Sequence, residues 1–304
     1  MISDSEANFV FVSDLLEPRY PPLVDRLRGI LGEHGISLRI IKETSDIWCR
    51  DYMPVQVAPA RFVRFRYAPD YLVGYEDTIT DFDKIDPIPE IVRYQQSKIV
   101  LDGGNVVRSG KRAIVTDKLF HENAGVEPDN LLDLLQRLLN VDEVIVIPQE
   151  PGDEIGHADG IVRFLDAETV FINDYSEVAR PFGRRLQSVL RRASLKWIKL
   201  PYCPVAEETD GIPSAVGCYA NFLMVRGLIV IPTFGTPEDE AARQVLIERA
   251  PQSTIESIDC LDLAQEGGVL NCVTWSIVAE AHSHQQALGL ARRLLDVQDG
   301  ALVR

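Results

Sequence analysis

Several features that would point to familiar protein classes are scarce in this 304-residue chain. Its five cysteines, Cys49, Cys203, Cys218, Cys260 and Cys272, are scattered, and no two are spaced as CxxC. A disulfide framework and a cysteine-based zinc cluster are therefore not expected. No run of about 18 apolar residues is present, and MISDSEANFVF lacks the basic and apolar parts of a signal peptide. We expect a cytoplasmic protein.

Positive charge is also scarce. The chain has 31 Lys and Arg residues against 46 Asp and Glu residues, which gives a formal net charge of -15 at pH 7. Such a surface repels phosphate backbones and anionic lipids, so neither nucleic acid nor a membrane is expected as a partner. A small cationic substrate is more compatible with this charge, and the sequence leaves a homodimer open.

A pattern of β-hairpin, helix and strand recurs along the chain. Four pairs of short β-rich runs predict hairpins. They are IWCRDYMPVQVAP with RFVRFRY, NVVRSG with KRAIVTD, GHADGIVRFL with ETVFIND, and YANFLMV with GLIVIP. GVLNCVTWSIVAE predicts a fifth unit, and helices are predicted over 128–140, 180–193 and 237–250, each followed by another apolar strand.

One polar residue stands at the start of each predicted hairpin: Asp51, Asn105, His157, Asn221 and Cys272. Their separations are 54, 52, 64 and 51 residues. A repeat of supersecondary units with a period of about 50 residues is typical of a radial architecture, and five such units would close a ring.

The two ends of the sequence are expected to meet in this ring. The strand FVFVSD, a helix near 22–33 and the strand SLRIIK would complete what the last hairpin lacks. We therefore predict one α/β domain over 1–304, with a helical extension at about 281–304. A doubly wound α/β sheet is the competing architecture, although its strands alternate singly with helices. The Pro- and Asp-rich stretch 68–90 is predicted to be a loop that covers the site.

Two motifs place polar side chains next to glycines. In GHADG, His157 and Asp159 lie two apart at a strand start, so both side chains point to the same face. In LDGGN, Asp102 and Asn105 flank a glycine pair, and Asp102 would accept from a ring nitrogen of His157. The alternatives are hydrogen-bonded edge residues in the first motif and an Asx turn in the second.

Two further candidates are ambiguous when taken singly. Asp51 lies beside Arg50 in WCRDYMP, where an ion pair is the alternative, and Cys272 in GGVLNCVTW has the alternative of a small core residue. Packing alone does not require a polar group at the same point of every unit. The repeat therefore favours a shared functional site.

These residue types suit the chemistry of a guanidinium group. Two aspartates can fix its plane and charge through bidentate hydrogen bonds. A cysteine thiolate can then attack the central carbon, favoured over the thiol by the cationic substrate and a protonated imidazole. His157 can donate to departing ammonia, and the neutral imidazole can afterwards take a proton from water that attacks the amidino-thioether.

The motifs WCRDYMP, LDGGN, GHADG, YANF and GGVLNC resemble, in order and spacing, those of the pentein superfamily. The resemblance covers about residues 8–280 and is closest to agmatine deiminases and bacterial-type peptidylarginine deiminases. It implies a five-bladed, pseudo-symmetric α/β propeller with the site at its centre and with neither a metal nor another cofactor. It also implies that Cys272 is the nucleophile and His157 the acid/base.

The same resemblance implies roles for the other candidates. Asp51 and Asp159 would bind the guanidinium, and Asp102 would orient the histidine. Asn221 would support the site, and with Asn105 it is grouped among the substrate-binding residues.

The sequence departs from the superfamily pattern at several positions. Asp102 stands where many members have Glu, Val269 stands where Asn is usual, and Asn271 replaces a frequent His. No motif identifies what binds the far end of the substrate. The candidates are Arg64, Arg66, Arg108 and Tyr219.

We therefore predict a deiminase that converts an arginine-like compound to a ureido product and ammonia. Agmatine is the first candidate substrate, which would place the enzyme in putrescine biosynthesis. Alternatives within the superfamily are hydrolysis of dimethylarginine or succinylarginine and amidino transfer. Outside it, the alternatives are a non-catalytic guanidine-binding protein and metal-assisted hydrolysis by His157, Asp159 and either Asp51 or Asp102.

Overall fold

Short β-strands make up most of the regular structure in the computed structural model, which describes residues 2–86, 88, 91, 93–209 and 211–279. The strands are β1 (Phe9–Ser13), β2 (Ser37–Ile41), β3 (Val55–Ala58), β4 (Arg61–Arg66), β5 (Tyr94–Val100), β6 (Val107–Ser109), β7 (Arg112–Thr116), β8 (Glu143–Ile147), β9 (Val162–Phe164), β10 (Thr169–Asn173), β11 (Lys196–Leu200), β12 (Glu208–Thr209), β13 (Ile212–Pro213), β14 (Leu223–Val225), β15 (Leu228–Thr233), β16 (Thr254–Asp259) and β17 (Trp275–Ile277). The α-helices are α1 (Leu16–Arg19), α2 (Pro21–Glu33), α3 (Cys49–Tyr52), α4 (Lys118–Glu122), α5 (Pro128–Leu139), α6 (Arg180–Arg192), α7 (Glu238–Arg249) and α8 (Leu261–Ala264). The predicted helix at about 281–304 lies outside the described residues.

Five three-stranded sheets in this part of the chain share one strand order. In each, two antiparallel strands are joined by a third that runs parallel to the second. The sheets are β3–β4–β5, β6–β7–β8, β9–β10–β11, β14–β15–β16 and β17–β1–β2. The four predicted hairpins are confirmed, and β12 pairs with β13 in a separate small ribbon.

The first and last strands pair with each other, as the sequence predicts. Phe9 of β1 lies opposite Ile277 of β17 in an antiparallel register, and β2 joins β1 in parallel. The Asn8 side chain extends this pairing, because it donates to the Ala279 carbonyl at 2.8 Å and accepts from the Ala279 N–H at 2.9 Å.

The predicted helices form where an apolar face can be buried. In α5, Leu131, Leu135 and Leu138 follow a helical spacing and are buried, and the helix begins with Pro128 at its first turn. It ends before Asn140, whose left-handed backbone, with φ of 54°, terminates the helix. Between β4 and β5 the described residues form short 3-10 turns instead of a helix, at Asp70–Leu72, Glu76–Thr78 and Phe82–Lys84.

Buried apolar side chains form separate clusters on the sheets and beneath the helices. The largest cluster joins α2, β14, β15 and α7. None of the helices in the described ranges is long and apolar enough to cross a lipid bilayer.

The sheets bring the candidate residues to corresponding positions. Each of them lies a few residues before the first strand of one sheet: Asp51 before β3, Asp102 and Asn105 before β6, His157 and Asp159 before β9, Asn221 before β14, and Cys272 before β17. The 3-10 turn Gly103–Asn105 packs against both α3 and the turn Ala158–Gly160. Residues about 50 positions apart in the sequence therefore meet at one site.

Candidate active site

His157 lies buried between two carboxylates. Its Nε2 is 3.0 Å from Asp102 Oδ2, and its Nδ1 is 3.5 Å from Asp51 Oδ1. Burial on its own would lower the pKa of His157, but the negative charges of Asp51 and Asp102 outweigh it and raise the pKa to about 10. The imidazole is therefore protonated at neutral pH. We refer to Asp51, Asp102 and His157 as the histidine side of the site.

Asp51 is fixed by a backbone donor. Its Oδ1 accepts from the Gly104 N–H at 2.8 Å. Burial raises the pKa of Asp51 to about 7, as do the carboxylates of Asp102 and Asp159, while His157 lowers it. A Cβ atom at Gly104 would lie 2.6 Å from Asp51 Oδ1 and 2.7 Å from His157 Nδ1, so the close approach requires glycine at this position.

Tyr71 is a member of the site that the sequence analysis missed. Its hydroxyl donates to Asp102 Oδ2 at 2.9 Å, and its ring stands edge-on to His157 with centroids 6.0 Å apart. It lies in the 3-10 turn Asp70–Leu72, within the stretch predicted to cover the site. An aromatic residue in a predicted covering loop was the available signal.

The Cys272 thiol lies against the side-chain amide of Asn221. Its Sγ lies 3.3 Å from Asn221 Oδ1, which also accepts from the backbone N–H groups of Asn271 at 3.2 Å and Cys272 at 3.4 Å. The Sγ is 3.9 Å from Asp159 Oδ2. Burial first, and then the charges of Asp159 and Asp51, hold the pKa of the Cys272 thiol well above its usual value. We refer to Asn221, Asn271 and Cys272 as the cysteine side.

Asn271 connects the cysteine side to Asp159. Its Nδ2 donates to Asp159 Oδ2 at 2.5 Å. Arg50 holds the other end of this amide, with Nη2 at 3.1 Å from Asn271 Oδ1 and Nε at 3.3 Å from the Asn271 carbonyl. Arg50 thus bonds Asn271, whereas its sequence neighbour Asp51 faces Gly104 and His157.

Asn105 lies beside the histidine turn rather than beside the thiol. Its Oδ1 accepts from the N–H groups of Thr116 at 2.8 Å and Ala158 at 3.3 Å. Asn221 makes the corresponding bonds to the cysteine turn. The predicted contact of Asn105 with a substrate stays a prediction.

A cavity of about 320 Å³ opens onto the site. His157, Asp159, Asn221 and Cys272 line one part of it, and Glu150, Asp153 and Tyr202 line another. No Lys or Arg occurs among the described residues that line it. The four residues considered for the far end of a substrate, Arg64, Arg66, Arg108 and Tyr219, lie elsewhere.

The acidic part of this cavity was not singled out in the sequence. Glu150 accepts from the hydroxyls of Tyr175 at 2.7 Å and Tyr202 at 2.8 Å. Burial raises the pKa values of both Glu150 and Asp153. The signal available in the sequence was the run of acidic residues just before GHADG.

The described side chains offer no arrangement of three or more His, Cys, Asp or Glu residues suited to a metal ion. The metal-assisted alternative therefore has no ligand set within those ranges.

Comparison with known proteins gives concordant results. Residues 2–277 match the family model of Porphyromonas-type peptidyl-arginine deiminase. The chain is 28% identical over 222 residues to an agmatine deiminase of Pseudomonas aeruginosa (strain UCBPP-PA14), covering 63% of this chain and 60% of that protein. It spans about 57–60% of the length of the first curated relatives that it matches.

Solved structures with a similar fold include two agmatine deiminases. One, from C. jejuni with substrate bound, has a TM-score of 0.71 at 16% identity and covers 92% of this chain and 96% of that chain. The other, from Enterococcus faecalis, has a TM-score of 0.71 at 18% identity and covers 91% and 94%. At such identities the likeness shows a common fold.

Proposed function

The chain belongs to the family of Porphyromonas-type peptidyl-arginine deiminases, within the pentein superfamily, and we propose that it hydrolyses the guanidino group of a small cationic substrate. Agmatine is the first candidate, with a ureido compound and ammonia as products. The observation that carries this proposal is that Cys272, His157 and Asp159 line one cavity, with the carboxylates of Asp51 and Asp102 in contact with His157. A thiol, a charged imidazole and several carboxylates are the groups that guanidine hydrolysis requires.

In the proposed mechanism, Asp51 and Asp159 hold the guanidinium plane. The substrate's positive charge offsets the two carboxylates that raise the pKa of the Cys272 thiol, so the thiol releases its proton to solvent when the cation is bound. The thiolate then forms a bond to the guanidinium carbon. His157 gives its proton to one nitrogen, which leaves as ammonia, and the carbon stays attached to Cys272 as an amidino-thioether.

The second half of the reaction uses the now neutral imidazole. His157 removes a proton from a water molecule while the water oxygen bonds to the same carbon. The carbon–sulfur bond breaks, the second proton of the water passes to solvent as the carbonyl forms, the ureido product leaves, and the thiolate returns. Asp102 stays hydrogen-bonded to His157 and keeps the imidazole oriented.

The charge of the cavity supports a substrate whose far end is cationic or neutral. Glu150 and Asp153 line the cavity, and the described lining contains no Lys or Arg to receive a carboxylate. Buried carboxylates are unfavourable for an anionic group and favourable for an ammonium group. This favours agmatine over dimethylarginine, succinylarginine and free arginine.

We further propose supporting roles for the two asparagines. Asn221 would fix the cysteine turn and Asn105 the histidine turn, through the backbone bonds described above. We also propose that the five sheets are the blades of one pseudo-symmetric propeller domain. A cytoplasmic location, a role in putrescine biosynthesis and the absence of a cofactor belong to the same proposal.

The proposal is tested by product analysis over agmatine, free arginine, methylated arginines, succinylarginine and arginine-terminated peptides. We expect ammonia from agmatine, with kcat/KM at least about tenfold higher than for free arginine, which corresponds to ~1.4 kcal/mol. Glu150→Gln should reduce this preference. Release of methylamine or of two ammonia molecules would assign one of the rival reactions. Binding without any product would identify a guanidine-binding protein, and loss of activity on chelation would favour the metal-assisted alternative.

A further inference from the structure

Lys118, at the start of α4, is a buried cation that joins two segments flanking the site. Its Nζ donates to Asp70 Oδ1 at 2.7 Å and to the Glu154 carbonyl at 2.7 Å. The same Nζ lies 4.8 Å from the centre of the Tyr71 ring, and Glu122 Oε1 is 3.9 Å away. Lys118 thus fastens the turn Asp70–Leu72 to the segment that precedes His157.

Tyr71 holds the carboxylate that His157 uses. Its hydroxyl and the His157 Nε2 both bond to Asp102 Oδ2. The other oxygen, Asp102 Oδ1, is buried and has no hydrogen-bond partner in the described part of the chain. Two bonds to one oxygen therefore hold this side chain, and Tyr71 supplies one of them.

We propose that Tyr71 is a positioning residue of the reaction, which fixes Asp102 against His157, and that Lys118 locks the turn that carries Tyr71. The catalytic part of this inference rests on the proposed guanidine hydrolysis. The contacts among Lys118, Asp70, Tyr71 and Asp102 are independent of it.

The arrangement has an electrostatic consequence for His157. A hydroxyl that donates to Asp102 takes up part of the carboxylate's hydrogen-bonding capacity and stabilises its charge. Without this donor, the carboxylate interacts more strongly with the imidazolium, so the pKa of His157 should rise further. The other groups that face His157 are the carboxylates of Asp51 and Asp159, with Asp153 and Glu122 at longer range.

The first test replaces the hydroxyl alone, with Tyr71→Phe. We expect kcat to fall about tenfold with KM within about twofold, because the ground-state contacts of the substrate remain. The alkaline limb of the kcat profile should move to higher pH. The matched control is Tyr75→Phe, in the same segment but with a side chain that is 47% exposed, and it should leave both kcat and the profile unchanged.

A double-mutant cycle separates positioning from general damage. In an Asp102→Ala background, Tyr71→Phe should cost almost nothing further, because the shared carboxylate is gone. Independent losses that multiply would overturn the inference.

The role of Lys118 is tested by changing its partner Asp70. The Asp70 side chain is 64% exposed, so its replacement should disturb the core less than replacement of the buried Lys118. Asp70→Asn keeps the shape and removes the charge, and it should reproduce part of the Tyr71→Phe effect on kcat. Asp77→Asn in the same segment is the control. Faster hydrogen exchange at the backbone of residues 70–72 in Asp70→Asn would support the lock, whereas unchanged exchange and unchanged kcat would overturn it.

A titration of the histidine ring distinguishes failure of this inference from failure of the proposed function. NMR of ¹⁵N-histidine-labelled protein follows the His157 pKa without any substrate. A His157 pKa that differs between Tyr71→Phe and wild type supports the positioning role even if no guanidino compound is hydrolysed. A rise would report the lost competition for Asp102, and a fall would report movement of Asp102 away from the ring. Equal pKa values together with equal kcat would overturn it.

Discussion

The histidine side and the cysteine side of the site differ in how they are held. On the histidine side, carboxylates flank the imidazole on both of its nitrogens. On the cysteine side, the amide oxygen of Asn221 accepts hydrogen bonds from two backbone N–H groups and from the Cys272 thiol. The imidazole therefore bonds to charged groups, whereas the nearest partner of the thiol is a neutral amide oxygen.

Both reactive groups keep their protons at rest, but only the histidine is then charged. The pKa of His157 is raised, so the ring carries its proton, and the pKa of the Cys272 thiol is raised, so it keeps its proton as well. The acid is thus charged in advance, whereas the nucleophile needs an added positive charge. We infer that binding of a cation with the shape of guanidinium lowers the pKa of the Cys272 thiol and so forms the reactive thiolate. Without a bound cation the thiol stays protonated, and this limits its reactions with other electrophiles.

The largest expected effect comes from removing the thiol. Cys272→Ser should lower kcat at least about thousandfold, ~4 kcal/mol of barrier, because a hydroxyl is a much weaker nucleophile in the same surroundings. The fold should be kept, as judged by circular dichroism and thermal melting. Cys203→Ser, away from the thiol site, should retain wild-type kcat. A Cys272→Ser enzyme within tenfold of wild type would remove Cys272 from the mechanism.

Two glycines allow the sides to be perturbed separately. Gly104→Ala forces a Cβ to 2.6 Å from Asp51 Oδ1, and Gly268→Ala forces one to 2.6 Å from Trp48 Cζ3. The half-buried Trp48 ring can shift, whereas the buried charged pair cannot, so kcat/KM should fall about hundredfold for Gly104→Ala and about tenfold for Gly268→Ala.

The control for this pair is Gly125→Ala, where an added Cβ meets no atom within 4 Å. It should stay within about twofold of wild type in kcat/KM. Equal losses at Gly104 and Gly268 would show that the two sides are not held differently.

A smaller effect is expected in alkylation rates. A haloacetamidine, which is a planar cation, should modify Cys272 about tenfold faster than the neutral haloacetamide of the same size, because Asp51 and Asp159 attract the cation. Asp159→Asn should remove most of the preference. Peptide mass spectrometry should find the adduct on Cys272, with agmatine protecting it, and not on the buried Cys49. Equal rates for the two reagents in wild type would argue for the binding-protein alternative.

The smallest expected signal is a proton released on binding. The pKa of Asp51 is raised to about 7, so this carboxyl is largely protonated at pH 6, and it must ionise to bind a cation. Agmatine binding to Cys272→Ser should release up to about one proton at pH 6 and almost none at pH 9. Calorimetry in buffers of different ionisation enthalpy measures this number. The release should disappear when Asp51→Asn is added, and its persistence there would assign the proton to another group.

Much of the fold follows from local patterns in the sequence. Alternating β-rich runs predicted four hairpins, and the placement of His157 and Asp159 two apart predicted a common direction. The predicted bond between Asp102 and His157 is present in the structure. The hairpins follow from strand geometry, which short stretches of sequence determine. His157 and Asp159 do share the cavity, but they lie at the 3-10 turn Ala158–Gly160 and not at the predicted strand start.

The parts that were missed depend on long-range placement. Tyr71 reaches Asp102 only because the 3-10 turn that replaces a helix between β4 and β5 crosses the site. Asn271 was noted only as a substitution, since its bonds to Arg50 and Asp159 join residues far apart in the chain. Spacing in sequence gives the face of a strand but not the path of a loop.

The pairing of β1 with β17 has a consequence for biosynthesis of the active protein. The Cys272 turn leads directly into β17, whose partner β1 leaves the ribosome first. The sheet that supports the nucleophile therefore cannot be completed until translation has passed residue 277, so a chain truncated before that point should not assemble its nucleophile. Because residues 8 and 279 are joined by hydrogen bonds, a peptide linker across them would allow circular permutation, with new termini opened in an exposed turn such as the one at Gly110.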